Sequence, residues 1–176
     1  MSEFQFQKMF EHSGEKTLYR KLTSDHVSTS IFESRQILKI SPSALTLLAQ
    51  EAMDDVSHLL RSSHLIQLSK ILEDPQASEN DRFVALELLK NANIAAGRVL
   101  PGCQDTGTAI VMGYKGENVF TSGDDTKALS RGIYKAFQER NLRYSQMAPL
   151  DMFSEVNTGT NLPAQIEIYS EAGDEY

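Results

Sequence analysis

The apolar residues of this chain change their period near its middle. Upstream of Gly97 they recur at three- and four-residue steps, the spacing of a helix face. Downstream of Thr108 they fall into short runs and alternations, the spacing of strands. Helices gathered first and strands afterwards define an α+β domain, a helix-rich first half followed by a small mixed sheet covered by helices. With 176 residues the chain can bury one sizeable core. The expected organisation is an N-terminal arm over residues 1–30 and one domain over residues 31–176.

In the arm, Phe4, Phe6, Met9 and Phe10 stand among polar neighbours and read as anchors laid across a surface. Gln36 to Ile40 predicts a short strand. Ser41-Pro42 then opens a helix, with serine as cap and proline at the first helical position. Leu45, Leu48, Ala49, Ala52, Val56, Leu59 and Leu60 form its expected buried stripe. A second helix is predicted from Ser62 or Ser63 to Leu72, ending before Asp74-Pro75. Ser78 and Asp81 form a short-armed capping box for a third, with Phe83, Leu86, Leu89 and Ile94 as its buried side and Gly97 as its stop.

Beyond the middle, Thr108–Met112 and Asn118–Thr121 predict two strands, and Tyr114-Lys115-Gly116 between them suggests a hairpin. Asp124 or Asp125 caps a further helix carrying Leu129, Ile133 and Phe137 on one side. Asn141 to Asn161 reads as irregular. Pro163 to Tyr169 alternates, with Ala164, Ile166 and Ile168 on one face. The turn at Ala172-Gly173-Asp174 resembles the start of a returning strand, which suggests a chain cut at an artificial or processing boundary.

The net charge of −7 and a pI near 5.1 argue against nucleic acid as a partner, because phosphate recognition needs a basic face. No apolar stretch approaches the roughly 20 residues of a membrane-spanning helix. The polar beginning lacks the apolar core of a signal peptide. One cysteine cannot form an internal disulfide, so the cytosol is the default compartment.

That cysteine, Cys103, lies in Pro101-Gly102-Cys103-Gln104-Asp105-Thr106-Gly107-Thr108, the densest polar stretch of the chain. A lone thiol is most often buried and inert. The glycines on either side weaken that reading here, since they let backbone approach a ligand closely. A nucleophilic role needs a base. His12, His26, His58 and His64 all lie upstream with no motif linking them to Cys103. A metal–sulfur role needs several thiolates, which this chain does not contain. Asp105 reads either as a turn-capping carboxylate or as a partner for a hydroxyl or water held at a metal. Gln104 can donate its amide to a substrate carboxylate. Arg143 follows a helix on a non-periodic segment, where an arginine is usually solvated; buried, its planar fork would clamp a carboxylate. The loop from Val156 to Pro163 either presents amides to an anion or only makes a tight turn.

At these residues the chain resembles the class I fumarases, the oxygen-sensitive iron–sulfur fumarate hydratases. Four blocks carry the resemblance: Ala77 to Asp81; Leu100-Pro101-Gly102-Cys103-Gln104-Asp105-Thr106-Gly107-Thr108-Ala109-Ile110; Asn141 to Gln146 with Ala148 to Met152; and Glu155 to Gln165. It runs in one register from about Leu22 to the last residue. It covers only the amino-terminal domain of the family's single-chain form, which continues well beyond Tyr176. Gly102 departs from the threonine that the resemblance leads one to expect beside the cysteine.

The resemblance implies a [4Fe–4S] cluster held by three cysteines, with Cys103 the first and one iron left open. It implies that Gln104 and Asp105 contact substrate near the cluster, with Asp105 catalytic, and that Arg143 binds a substrate carboxylate. Reversible hydration of fumarate to malate in the tricarboxylic acid cycle, by a homodimer, follows as the expected activity. The other two cluster cysteines would lie outside this chain, so these 176 residues alone are expected to be inactive. Two alternatives stand beside this reading. One is the α-type subunit of L-tartrate dehydratase; the other is a non-enzymatic interaction or iron-sensing module.

Overall fold

The computed structural model describes residues 3–7, 18–103 and 107–176. Along them run β1 (Val27–Phe32), β2 (Arg35–Ile40), α1 (Pro42–His58), α2 (Ser62–Glu73), α3 (Glu79–Ala95), β3 (Ile110–Gly116), β4 (Val119–Thr121), α4 (Asp125–Glu139), β5 (Met147–Pro149), β6 (Glu155–Asn157) and β7 (Gln165–Glu171). The α+β reading stands. The strands divide into three small sheets, β1-β2-β4, β3-β7 and β5-β6.

Two of the three expected side-chain caps form; the Ser41 hydroxyl makes no capping bond, although Ser41 does precede α1. Pro42 occupies the first turn of α1 behind Ser41. Ser78 and Asp81 complete a reciprocal capping box on α3, with Asp81 N donating to Ser78 Oγ at 3.1 Å and Ser78 N donating to Asp81 Oδ2 at 2.9 Å. Asp124 caps α4 by accepting from Lys127 N at 2.9 Å. The left-handed residue after α3 is Arg98 rather than Gly97, with φ of 59°.

The core forms where α1 crosses α4. Leu45 and Ala49 of α1 pack on Ala128, Leu129 and Ile133 of α4. Phe137, Ala164, Ile166 and Ile168 close around them, so the alternating strand puts its predicted apolar face inward. Thr46 Oγ1 donates to Ala128 O at 2.9 Å, satisfying a buried hydroxyl across the helix pair. A Cβ on Gly132 would lie 2.3 Å from Thr46 O, so only glycine permits this approach.

Three expectations need correction. The first is the hairpin around Gly116. β3 pairs in parallel with β7, and β4 in parallel with β2, so the two strands enter different sheets. Gly116 serves close packing instead: a Cβ there would lie 2.4 Å from Gly173 O. The amides of Gly116 and Asn118 donate to Glu175 O and Gly173 O at 2.8 and 2.9 Å, so the 172–175 segment wraps this corner and is not left half-paired.

The second concerns the apolar stripes. In α1, Leu45 and Ala49 are buried, but Leu48, Ala52, Val56, Leu59 and Leu60 are exposed. Phe83, Leu86 and Ile94 of α3 are exposed as well, and Leu89 is only half-buried. The reason is geometric. α2 and α3 pack chiefly on one another, and nothing among the described residues lies over their outer faces.

The third is the amino-terminal segment. Phe4 and Phe6 are exposed, not laid across the surface, and Met9 and Phe10 lie outside the described residues. β1 starts inside the segment expected to be loose and pairs antiparallel with β2 from Val27↔Ile40 to Phe32↔Arg35. Within the stretch expected to be irregular, β5 and β6 form a short antiparallel pair.

Candidate functional site

The backbone around Cys103 is held from both sides. Gly102 N donates to Ser57 O at 2.9 Å, and Gly102 O accepts from Asn91 Nδ2 at 2.6 Å. The residue before the thiol is thus tied to the last turn of α1 and to α3. At the far side, Gly107 N donates to Ser145 Oγ at 2.7 Å, and Thr108 Oγ1 donates to Gln146 Oε1 at 2.8 Å. Gln104 and Asp105 lie between these anchorages and outside the described residues.

Asn161 is the hub that joins these segments. It is fully buried, with φ of 55°. Its Oδ1 accepts from Ser145 N and Gln146 N, both at 3.0 Å, while its Nδ2 donates to Gly107 O at 3.2 Å. The polar loop after Val156 therefore acts as a structural turn that braces the cysteine loop. Its Gly159 N donates to Asn157 Oδ1 at 2.8 Å, the local bond typical of asparagine turns.

Cys103 is a free, exposed thiol. It lines a cavity of about 670 Å³ together with the end of α1, one side of α3, Phe137 of α4, and Leu142 and Arg143. Arg143 reaches this wall because α4 stops sharply. Asn141 takes a left-handed φ of 53° behind Arg140, the cap that asparagine tolerates at a helix end. Tyr144 then folds back, its hydroxyl donating to Phe137 O at 3.2 Å. Arg143 is exposed rather than buried, and no ion-pair partner faces it among the described residues.

His58 is the residue that sequence reasoning set aside. It is the last residue of α1, 2% exposed, and it lines the same cavity as Cys103. Its Nδ1 lies 2.8 Å from Asp54 O and 2.9 Å from Asp54 Oδ1. The main-chain oxygen takes the hydrogen bond, and the carboxylate contact is electrostatic, since Oδ1 makes no hydrogen bond of its own. Asp54 in turn faces two guanidinium groups, Arg98 at 2.7 Å and Arg140 at 3.1 Å. Arg98 also bonds Asp55, and that bond, with the charge of Asp54, raises its pKa above the usual arginine value. A buried carboxylate is tolerated because these cations surround it. The signal was present in the sequence as Asp54 and His58, an acid and a histidine four residues apart on α1.

Among the described residues, no group of three His, Cys, Asp or Glu side chains could hold a metal ion. Cys103 nevertheless suits one leg of a thiolate-bound group, being an accessible soft ligand on a firmly held backbone. Among the described residues, no helix is long and apolar enough to cross a membrane.

Residues 46–176 match the family model described as fumarate hydratase (Fumerase). The chain is 57% identical over 179 residues to fumarate hydratase 1, mitochondrial, of Leishmania major, covering 100% of this chain and 33% of that protein. It is 58% identical over 173 residues to the aerobic class I fumarate hydratase of Escherichia coli K12, covering 98% of this chain and 32% of that protein. The anaerobic class I enzyme of the same strain is 56% identical over 173 residues. The chain thus spans about a third of the length of the curated relatives it matches.

Proposed function

This chain belongs to the fumarate hydratase family, and from that premise we propose that it is the amino-terminal part of a [4Fe–4S]-dependent hydro-lyase interconverting fumarate and (S)-malate in the tricarboxylic acid cycle. The observation that carries the reading is that Cys103 and Arg143 line one cavity while the backbone before the thiol is fixed to two helices. A thiolate ligand and a carboxylate clamp facing the same space suit a small dicarboxylate substrate.

In this reading Cys103 holds the cluster as one of three thiolate ligands, the other two lying in polypeptide beyond these 176 residues. When bound, the cluster supplies a Lewis-acidic iron that polarises a substrate oxygen. Arg143 grips one carboxylate of the substrate through its planar fork, orienting the molecule. The apolar wall contributed by Leu88, Ala92 and Ala95 lowers the local dielectric and strengthens that grip. Gln104 donates its amide to a carboxylate, and Asp105 hydrogen-bonds the hydroxyl lost or gained in the reaction. Residues 31–176 form the amino-terminal domain, and the chain by itself, with one cysteine, does not assemble the cluster. The exposed Phe83, Leu86 and Ile94 support burial against further polypeptide or a second subunit of a homodimer. Cytosolic placement belongs to the same reading.

The test is anaerobic iron–sulfur reconstitution of the complete protein, followed by iron analysis and assays on malate and on tartrate. Iron bound together with malate turnover is the expected result. A complete protein that binds no iron when kept from air would overturn the proposal, and preference for tartrate would overturn the substrate.

A further inference from the structure

Asp54 ties together the two stretches of chain that carry Cys103 and Arg143. It is almost wholly buried, and one of its oxygens, Oδ2, stands between two guanidinium groups, Arg98 at 2.7 Å and Arg140 at 3.1 Å. Arg98 begins the segment that leads through Pro101 to the thiol. Arg140 caps the end of α4, from which the chain turns at Asn141 towards Arg143. Asn141 Nδ2 also donates to Val99 O at 3.3 Å, so the two approaches to the site touch a second time beside the first.

The backbone accepts strain to make this arrangement. Arg98 holds a left-handed φ of 59°, which disfavours any residue with a Cβ, while Gly97 stands immediately before it and does not take that conformation. From this position the Arg98 guanidinium reaches both Asp54 and Asp55 on α1. A buried carboxylate among cations adds little net stability over apolar side chains of the same volume, and its best-attested use is to specify one arrangement of the groups around it. Asp54 does not line the cavity, so whatever it does for the site passes through its partners. With its charge removed, the two guanidinium groups would repel one another across a neutral side chain. The thiol and the clamp, each carried just beyond one of them, would then lose their fixed separation.

We propose that Asp54 is a positioning residue: through Arg98 and Arg140 it sets the separation of Cys103 from Arg143, and with it the fit of the site to a small dicarboxylate. This deepens the reading of the site given above and rests on it.

The test uses the complete, cluster-loaded protein and malonate, a diacid that can be neither hydrated nor dehydrated. Calorimetric binding is measured at equal iron content for the unaltered protein, Asp54→Asn, Arg143→Ala and the double variant. Asparagine keeps the shape of the side chain and removes its charge. The expected result is that Asp54→Asn weakens malonate roughly tenfold in the unaltered protein. Made on top of Arg143→Ala, the same change should weaken it less than twofold further, because the clamp through which Asp54 acts is already gone. Equal factors in both backgrounds, or no weakening in either, would overturn the role of Asp54 alone. Asp125→Asn, destabilised at the opposite end of α4, should bind malonate as the unaltered protein does; a tenfold loss there as well would reduce the effect to lost stability and refute the proposal. If thermal midpoints show that Asp54→Asn loses the fold, the half-exposed Arg140 takes its place. Arg140→Gln should then give the same pattern and Arg140→Lys most of the original affinity, whereas Arg140→Gln binding malonate undiminished would refute the proposal. An unaltered protein that binds no malonate would overturn the reading of the site, and this inference with it.

Discussion

Gly132 of α4 lies so near Thr46 of α1 that a single added carbon would sit 2.3 Å from the Thr46 carbonyl oxygen. The next nearest atoms are Ala49 Cβ at 2.7 Å and Gln50 N at 2.8 Å, so the obstacle is mostly rigid backbone. Gly132→Ala thus sets two effects against each other. Alanine favours a helix over glycine by about 1 kcal/mol. Forcing packed helices apart costs typically 1–3 kcal/mol, and more where backbone is the obstacle. The clash wins, and the variant should lose about 2 kcal/mol in urea unfolding. Equal or greater stability would mean that the helices do not cross this closely.

Asn161→Ala removes both hydrogen-bonding ends of a fully buried side chain and leaves a non-glycine residue at a left-handed φ. A loss of about 3 kcal/mol is expected, since several buried groups lose their partner together. Hydrogen exchange gives a sharper check. The Ser145 and Gln146 amides, which donate to Asn161, should exchange much faster, while the Leu129 amide in the core of α4 follows only the global loss. Uniform acceleration would deny Asn161 its local role.

Asp125 gives the protein an acid-sensitive element. Burial pushes its carboxyl upward, but donors from Lys115, Thr121 and Tyr176 outweigh burial and leave it below the ordinary carboxylate value. Its stabilisation is therefore complete above the unfolded value near 4 and is lost as pH falls through the lower folded value. Asp125→Asn should lower neutral-pH stability by about 2 kcal/mol and flatten the pH dependence of unfolding below about pH 4. A variant whose stability falls as steeply with acid as the parent would exclude Asp125 as the source.

In the complete protein, Cys103→Ser should abolish stable iron binding and nearly all turnover, because a hydroxyl is a poor substitute for a thiolate. Iron retained at the parent level, measured by metal analysis, would remove Cys103 from the ligand set.

Arg143→Ala should raise KM and lower kcat, since a clamp acts in both ground and transition states. The combined loss in kcat/KM is expected to be roughly a hundredfold, the worth of a bidentate ionic contact. Unchanged kinetics would return Arg143 to the solvated surface.

What the sequence reveals here is local chemistry. The Ser78–Asp81 box and Asp124 set helix boundaries through bonds within a few residues, and Pro42 begins α1 where expected although the Ser41 hydroxyl makes no capping bond. Leu129, Ile133 and Phe137 likewise face inward, because one helix face is a local property. The pairing of β3 with β7 brings together residues about fifty positions apart, which no short-range pattern encodes. The β1–β2 turn was hidden for another reason. Glu33 and Ser34 adopt φ of 46° and 66°, a turn normally marked by asparagine and glycine. At the site, the sequence singled out Cys103 and Arg143, and both line one cavity. The buried His58–Asp54 contact was not foreseen, because it is completed by Arg98 and Arg140, which lie far along the sequence.

The cysteine loop is moored through its own main chain, at Gly102 to Ser57 and Asn91, and at Gly107 to Ser145 and Asn161. None of these tethers uses a side chain from positions 103 to 106. The Cys103 side chain is thus spared from holding its own loop in place, and the thiol can be exchanged while the helical frame stays as it is.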